Sequence, residues 1–114
     1  KSGLIDFGSH IHSHTKLINL SNDKIREEFT LSKKILGDIL NKEVPMLAYP
    51  YGCYAGAHSY NQGRVLAAEF FKIACGVSHG RVKPSSDVLL LPRNSIDSMV
   101  TTQQFKGIVR FGRL

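Results

Sequence analysis

No apolar stretch in this chain of 114 residues approaches the roughly 20 needed to cross a bilayer, which excludes a helical membrane span. No apolar run with a small-residue cleavage site follows Lys1, so nothing reads as a secretory leader. A chain opening on Lys1 reads as a fragment or a processed product. Cysteine is scarce: Cys53 and Cys75 allow one bridge at most, too few for a disulfide scaffold. Cys75, within an apolar run, reads as a buried free thiol. Acidic residues are few, 9 against 15 Lys and Arg, which leaves a net charge of +6. Such an excess suits an anionic partner, but the cations are dispersed and Lys33-Lys34 is their only adjacent pair. With no recognition helix, zinc finger or aromatic RNA-binding motif beside them, they read as a solvated surface, and no nucleic-acid partner is expected.

What remains is 42% hydrophobic and 21% charged, the composition of one globular domain over residues 1–114. At this size it buries about two-thirds of its unfolded surface. Residues 4–7 read as a short strand that Gly8 ends. Between 22 and 41 the apolar residues Ile25, Phe29, Ile35, Leu36, Ile39 and Leu40 fall at helical spacing, with Asp23 in the first turn. Gly37 inside that helix costs about 1 kcal/mol relative to Ala. Residues 44–49 read as a strand running into Pro50-Tyr51-Gly52. The pattern predicts a second helix over 60–74, with Val65, Leu66, Phe70 and Ile73 on one side, a turn over 80–86 and a buried strand over 88–91 that Pro92 breaks. Thr101, three residues before Gln104, is a capping box opening a last helix. The order β-α-β-α-β-α predicts an α/β fold with a mostly parallel sheet, whose chemistry lies at the C-terminal strand ends.

Three of the five histidines lie in His10-Ile11-His12-Ser13-His14, just after the first expected strand. Three at alternate positions point to metal binding, with a solvated His-rich loop as the competing reading. Geometry limits which pair shares an ion. Fully extended, His10 and His14 stand about 13 Å apart, too far for metal–nitrogen bonds of about 2.0–2.1 Å. One turn of helix brings positions i and i+4 to about 6 Å, whereas His12 pairs with either neighbour from an extended strand at about 7 Å. Spacing alone does not choose. Zinc also requires a third protein ligand and an open position. The second cluster, Ala48-Tyr49-Pro50-Tyr51-Gly52, is either a plain β-to-α turn or one that aims backbone N–H groups at an oxyanion while its tyrosines face a sugar.

Together the two clusters resemble the polysaccharide deacetylases, carbohydrate esterase family four. Gly8-Ser9-His10-Ile11-His12-Ser13-His14 is similar to the family's histidine motif, His-Ser/Thr-x-x-His. Tyr49-Pro50-Tyr51-Gly52 is similar to its next motif, and Leu91-Pro92-Arg93 to a segment near the domain's end. The resemblance covers essentially the whole chain and implies a partial, distorted (β/α) barrel. It implies that His10 and His14 bind a divalent metal, usually zinc, with His12 between them near the substrate or behind the ligands. It further implies that the Tyr51 N–H helps hold an oxyanion and that Tyr49, Pro50 and Tyr51 contact the substrate. The implied reaction removes N-acetyl groups from an amino-sugar glycan, and the implied location is the cell envelope.

The family's opening motif, two adjacent aspartates supplying the general base and third metal ligand, has no counterpart here, because the chain contains no Asp-Asp pair. Ala48 stands where an arginine commonly opens the second motif, and Ile11 replaces the usual Ser or Thr. Arg93 is a candidate replacement for that arginine, while His58 and His79 lack the context of the family's acid histidine. Two readings follow: the N-terminal part of a deacetylase domain is missing, or the chain is a degenerate, non-catalytic relative that binds carbohydrate. An incomplete barrel has an open sheet edge able to pair with the missing segment or another copy.

Overall fold

The computed structural model describes residues 3–52, 54 and 61–112. A 3-10 turn, Leu17–Asn19, leads into helix α1, Asn22–Leu40. Strand β1, Met46–Ala48, runs into a second 3-10 turn, Pro50–Gly52. Helix α2, Gln62–Phe70, strand β2, Ile73–Cys75, and helix α3, Thr102–Phe111, complete the order.

Strand β1 pairs with β2 in parallel, Leu47 opposite Ala74. A parallel bridge from Ser9 to Leu47 extends the ladder on one side, and another from Leu91 to Cys75 extends it on the other. The sheet therefore reads Ser9, β1, β2, Leu91 across, each neighbour following the last in sequence, with α1 and α2 as crossovers. That succession of parallel units is the arc of a distorted barrel. Leu47 and Ala74 point to the helices and enter one core with Leu17, Ile25, Phe29, Tyr49, Leu66, Ala67 and Phe71. Phe29 anchors it, its ring 5.3 Å from that of Phe71 and 5.6 Å from that of Phe70. Arg26 and Glu69 clasp α1 to α2 from outside at 3.3 Å.

Helix α1 starts where Ser21 accepts from the Lys24 N–H and ends at Asn41, which adopts the left-handed conformation. Its last turn accounts for Gly37. The Asn41 and Lys42 N–H groups both donate to the Gly37 carbonyl, and a Cβ at Gly37 would stand 3.3 Å from the Lys42 oxygen. The capping box of α3 forms as the Thr101–Gln104 spacing predicts, closed at the far end by left-handed Gly112. None of the described helices is long and apolar enough to cross a membrane.

Three expectations are corrected. Residues 4–7 form no strand; Leu4, Ile5 and Phe7 are exposed, and pairing begins only at Ser9, with Gly8 close over Met46. The helix expected over 60–74 stops at Phe70, and Ile73–Cys75 is a strand. The Lys33 ammonium takes the Phe70 carbonyl, Phe71 turns its ring into the core, and the Lys72 and Ile73 N–H groups donate to Pro45. Val65 is consequently half exposed and Ala67 takes the buried face. Residues 88–91 make a turn, because Asp87 accepts from the Leu89 and Leu90 N–H groups; the Val88 carbonyl accepts from Ala74, and Leu91 alone forms a bridge to β2. Cys75 is a free, half-buried thiol, while Cys53 lies outside the described residues.

Candidate metal and substrate site

The histidine loop leaves the sheet at Ser9, whose N–H donates to Met46 and whose carbonyl accepts from Ala48. Two non-glycine residues then adopt left-handed backbone, Ile11 at φ 57° and His14 at φ 59°. A β-branched residue there is an outlier, and such strain costs about 1–3 kcal/mol each. Burial and hydrogen bonding hold it. The Ile11 side chain sits in the core at 8% exposure. The Ile11 N–H donates to Ser9 Oγ, which donates to Ser32 Oγ at 2.7 Å, which in turn donates to the Phe29 carbonyl. One turn earlier on α1, Glu28 Oε2 accepts from both the His12 and Ser13 N–H groups, at 2.9 and 2.7 Å.

The result brings together the i,i+4 pair, in a loop rather than a helix. His10 and His14 place their Nε2 atoms 3.0 Å apart, with ring centroids at 4.7 Å. The His10 Nδ1–H donates to the Ala48 carbonyl at 2.7 Å, so its Nε2 carries the lone pair. A backbone acceptor behind one ring nitrogen is what a metal-ligating imidazole usually has. Two donors with bonds of about 2.0–2.1 Å to one ion lie about 3 Å apart at a right-angled arrangement, so this pair fits a metal. Among the described residues no third His, Cys, Asp or Glu joins them.

His12 joins neither imidazole through its ring; it lines a cavity of about 330 Å³ with His10, Ser32, Ile35 and Leu36. Tyr51 does join the site. Its ring is 60% exposed, lies 5.0 Å from the His14 ring and carries the Lys16 ammonium 5.2 Å from its centroid. Its backbone is left-handed at φ 57°, and no described residue accepts its N–H. Tyr49 and Pro50, expected at the substrate, are instead wholly buried. The Tyr49 hydroxyl donates to the Leu89 carbonyl at 2.9 Å, and burial pushes its phenol well above the ordinary range. Strand alternation aims that ring at the helices, and its presence there leaves no face for a ligand.

Arg93 follows the Leu91 bridge, about 14 Å from the histidine strand across three inter-strand spacings. Its N–H donates to Ser78, and its guanidinium makes no ion pair among the described residues. His79 is exposed and apart from the pair, and His58 lies outside the described residues. Sequence reasoning missed Glu28, Ser32 and the Ala48 carbonyl. The first two stand four apart on α1, a spacing that shares a helix face but does not reveal what that face meets.

A family model described as polysaccharide deacetylase matches residues 1–65. Among solved structures, the Streptococcus pyogenes deacetylase PplD, determined in complex with acetate, is similar with a TM-score of 0.78 and 23% identity, over 96% of this chain and 45% of its own. A polysaccharide deacetylase from Bacillus cereus gives 0.76 and 25%, over 93% of this chain and 32% of its own. The chain thus spans less than half the length of these solved relatives. No curated protein matches the sequence.

Proposed function

The chain belongs to the polysaccharide deacetylase family, and from that premise we propose that it carries the histidine half of a metal-dependent N-deacetylase acting on an amino-sugar glycan. The observation that carries the reading is the convergence of His10 and His14 at 3.0 Å, with His10 oriented from behind by the Ala48 carbonyl. When bound there, a divalent cation such as zinc supplies Lewis-acid polarisation of the acetyl carbonyl and of the attacking water. His10 offers Nε2 as a ligand because its other nitrogen is committed to a carbonyl. His14 matches it once its own Nε2–H, which donates to His10 in the metal-free pair, moves to Nδ1.

Tyr51 has two parts in this scheme. Its N–H donates to the carbonyl oxygen as charge develops on it, and its exposed ring offers a flat face to the sugar. The acetate bound to the Streptococcus pyogenes relative is the product such a reaction releases. A carboxylate must complete the ligand set and another must act as base. Among the described residues no carboxylate joins the histidine pair, and the deacetylase reading requires both to be supplied to it. The glycan partner and an envelope location follow from the same reading.

The missing aspartates favour a second reading, a non-catalytic carbohydrate-binding relative. Metal content and acetate release from N-acetylglucosamine oligomers separate the two, measured on the intact full-length protein and on its His10→Ala, His14→Ala variant. The deacetylase reading expects stoichiometric zinc, cobalt or nickel and acetate release, both lost in the variant. Metal retained by the variant moves the ligands elsewhere. Glycan binding without metal or acetate release leaves the non-catalytic reading.

A further inference from the structure

We infer that Glu28 of α1 is a positioning residue for the histidine pair; the inference rests on the metal-site reading above. The two histidines are separated by Ile11, His12 and Ser13, and the loop reverses because Ile11 and His14 are both left-handed. Between those two strained residues lie His12 and Ser13, whose successive N–H groups converge on one oxygen, Glu28 Oε2, at 2.9 and 2.7 Å. Two consecutive amides closing on an anion form a nest, and bonds to a charged acceptor are about twice as strong as neutral ones. The carboxylate thus clamps the middle of the arc whose ends carry the imidazoles.

The clamp has a second point on the same helix. Ser32, one turn beyond Glu28, receives the Ser9 hydroxyl and so fixes the Ile11 N–H through Ser9. Three successive members of the loop, Ile11, His12 and Ser13, are therefore tied to one face of α1, Ile11 through the Ser9 hydroxyl. Neither tie touches an imidazole. Their effect on the metal is geometric: without the carboxylate, the left-handed arc loses the interaction that offsets its strain, and His14 drifts from His10. The geometry assigns Glu28 the larger share, because it alone is charged and holds two amides.

The test is metal affinity of the protein, with zinc as probe, for wild type, Glu28→Ala and Glu28→Gln. Alanine at this helical position favours α1, so loss of the helix is not the expected outcome. Groups bonded directly to a metal ligand are worth about 10–100-fold in affinity; Glu28 acts one step further back, through the loop, so about tenfold is the loss expected for Glu28→Ala. Glu28→Gln keeps an oxygen acceptor and should recover most of that loss, which a general stability defect would not do. Without added zinc, Glu28→Ala should speed hydrogen exchange at the His12 and Ser13 amides far more than at the amides of α2 and β2, which a global loss of stability would speed alike. Wild-type zinc affinity in Glu28→Ala overturns the assignment and leaves the metal reading intact. Absence of zinc binding in wild type, with the His10→Ala, His14→Ala variant unchanged from it, overturns the metal reading and this inference with it.

Discussion

Two strand ends stand side by side in this fold and solve the same problem differently. Residues 9–14 leave the Ser9 bridge, and residues 49–52 leave β1; each path reverses through a non-glycine residue with positive φ, Ile11 and His14 in one, Tyr51 in the other. In the histidine loop the strain is held by polar ties to α1, from Glu28 and Ser32, together with the buried Ile11 side chain. In the tyrosine turn it is held by apolar burial on one side, Tyr49 and Pro50, and by left-handed Gly52, whose N–H closes the turn on Tyr49. The exposed members, His10, His14 and Tyr51, then gather in the same place. Strand ends can hold strained, exposed functional groups because the residues before and after them are committed to the core or to a neighbouring helix.

Substitutions at the strained positions test that contrast. Ile11→Gly relieves a left-handed β-branched residue but empties a core position, and the lost burial should dominate at about 2–4 kcal/mol, read by denaturant unfolding. A variant at least as stable as wild type would show that Ile11 is not what seats the loop. Tyr49→Phe leaves the Leu89 carbonyl without its donor and should cost about 1–2 kcal/mol.

The same substitution carries a pH signature. The phenol of the folded protein is held neutral by burial, whereas in the unfolded chain it ionises near its ordinary value of about 10. Above that pH the unfolded chain sheds the proton first, so wild-type stability falls with rising pH, and Tyr49→Phe should flatten part of that fall. Parallel alkaline unfolding curves would place the phenol in water. The smallest effect belongs to Tyr51→Gly. Its ring is largely exposed, so relief of strain and the added chain entropy should nearly cancel, within about 1 kcal/mol, while glycan affinity falls. Comparable destabilisation by Ile11→Gly and Tyr51→Gly would erase the difference between the two turns.

Much of this was legible in the amino-acid sequence. Helices α1 and α3 carry their own punctuation, Asp23 in one first turn and the Thr101–Gln104 box at the other start, and both lie where that punctuation puts them. Helix α2 carries no such stop. Its end is set by Phe71 finding Phe29, Lys33 reaching the Phe70 carbonyl and Pro45 accepting two amides, contacts between residues far apart in sequence. The strand expected at 4–7 gives way to exposed chain: Ile5 and Phe7 lie at the surface, and the first bridge among the described residues is at Ser9.

The site divides along the same line. The sequence by itself determined that three histidines cluster within five residues and that a Tyr-Pro-Tyr-Gly turn follows a strand, because residue type and local spacing are written in the chain. Which two histidines meet was decided only by tertiary structure. Extended strand, helical turn and left-handed loop are all open to the same five residues, and the choice fell to Glu28 and Ser32 on a helix packed across the loop. The same holds for the tyrosines, which read alike in sequence. As i and i+2 neighbours they would share one face of a continued strand; one is consumed by the core and the other left at the surface because the chain leaves β1 at Ala48 and turns through left-handed Tyr51, which carries the second ring away from the helices.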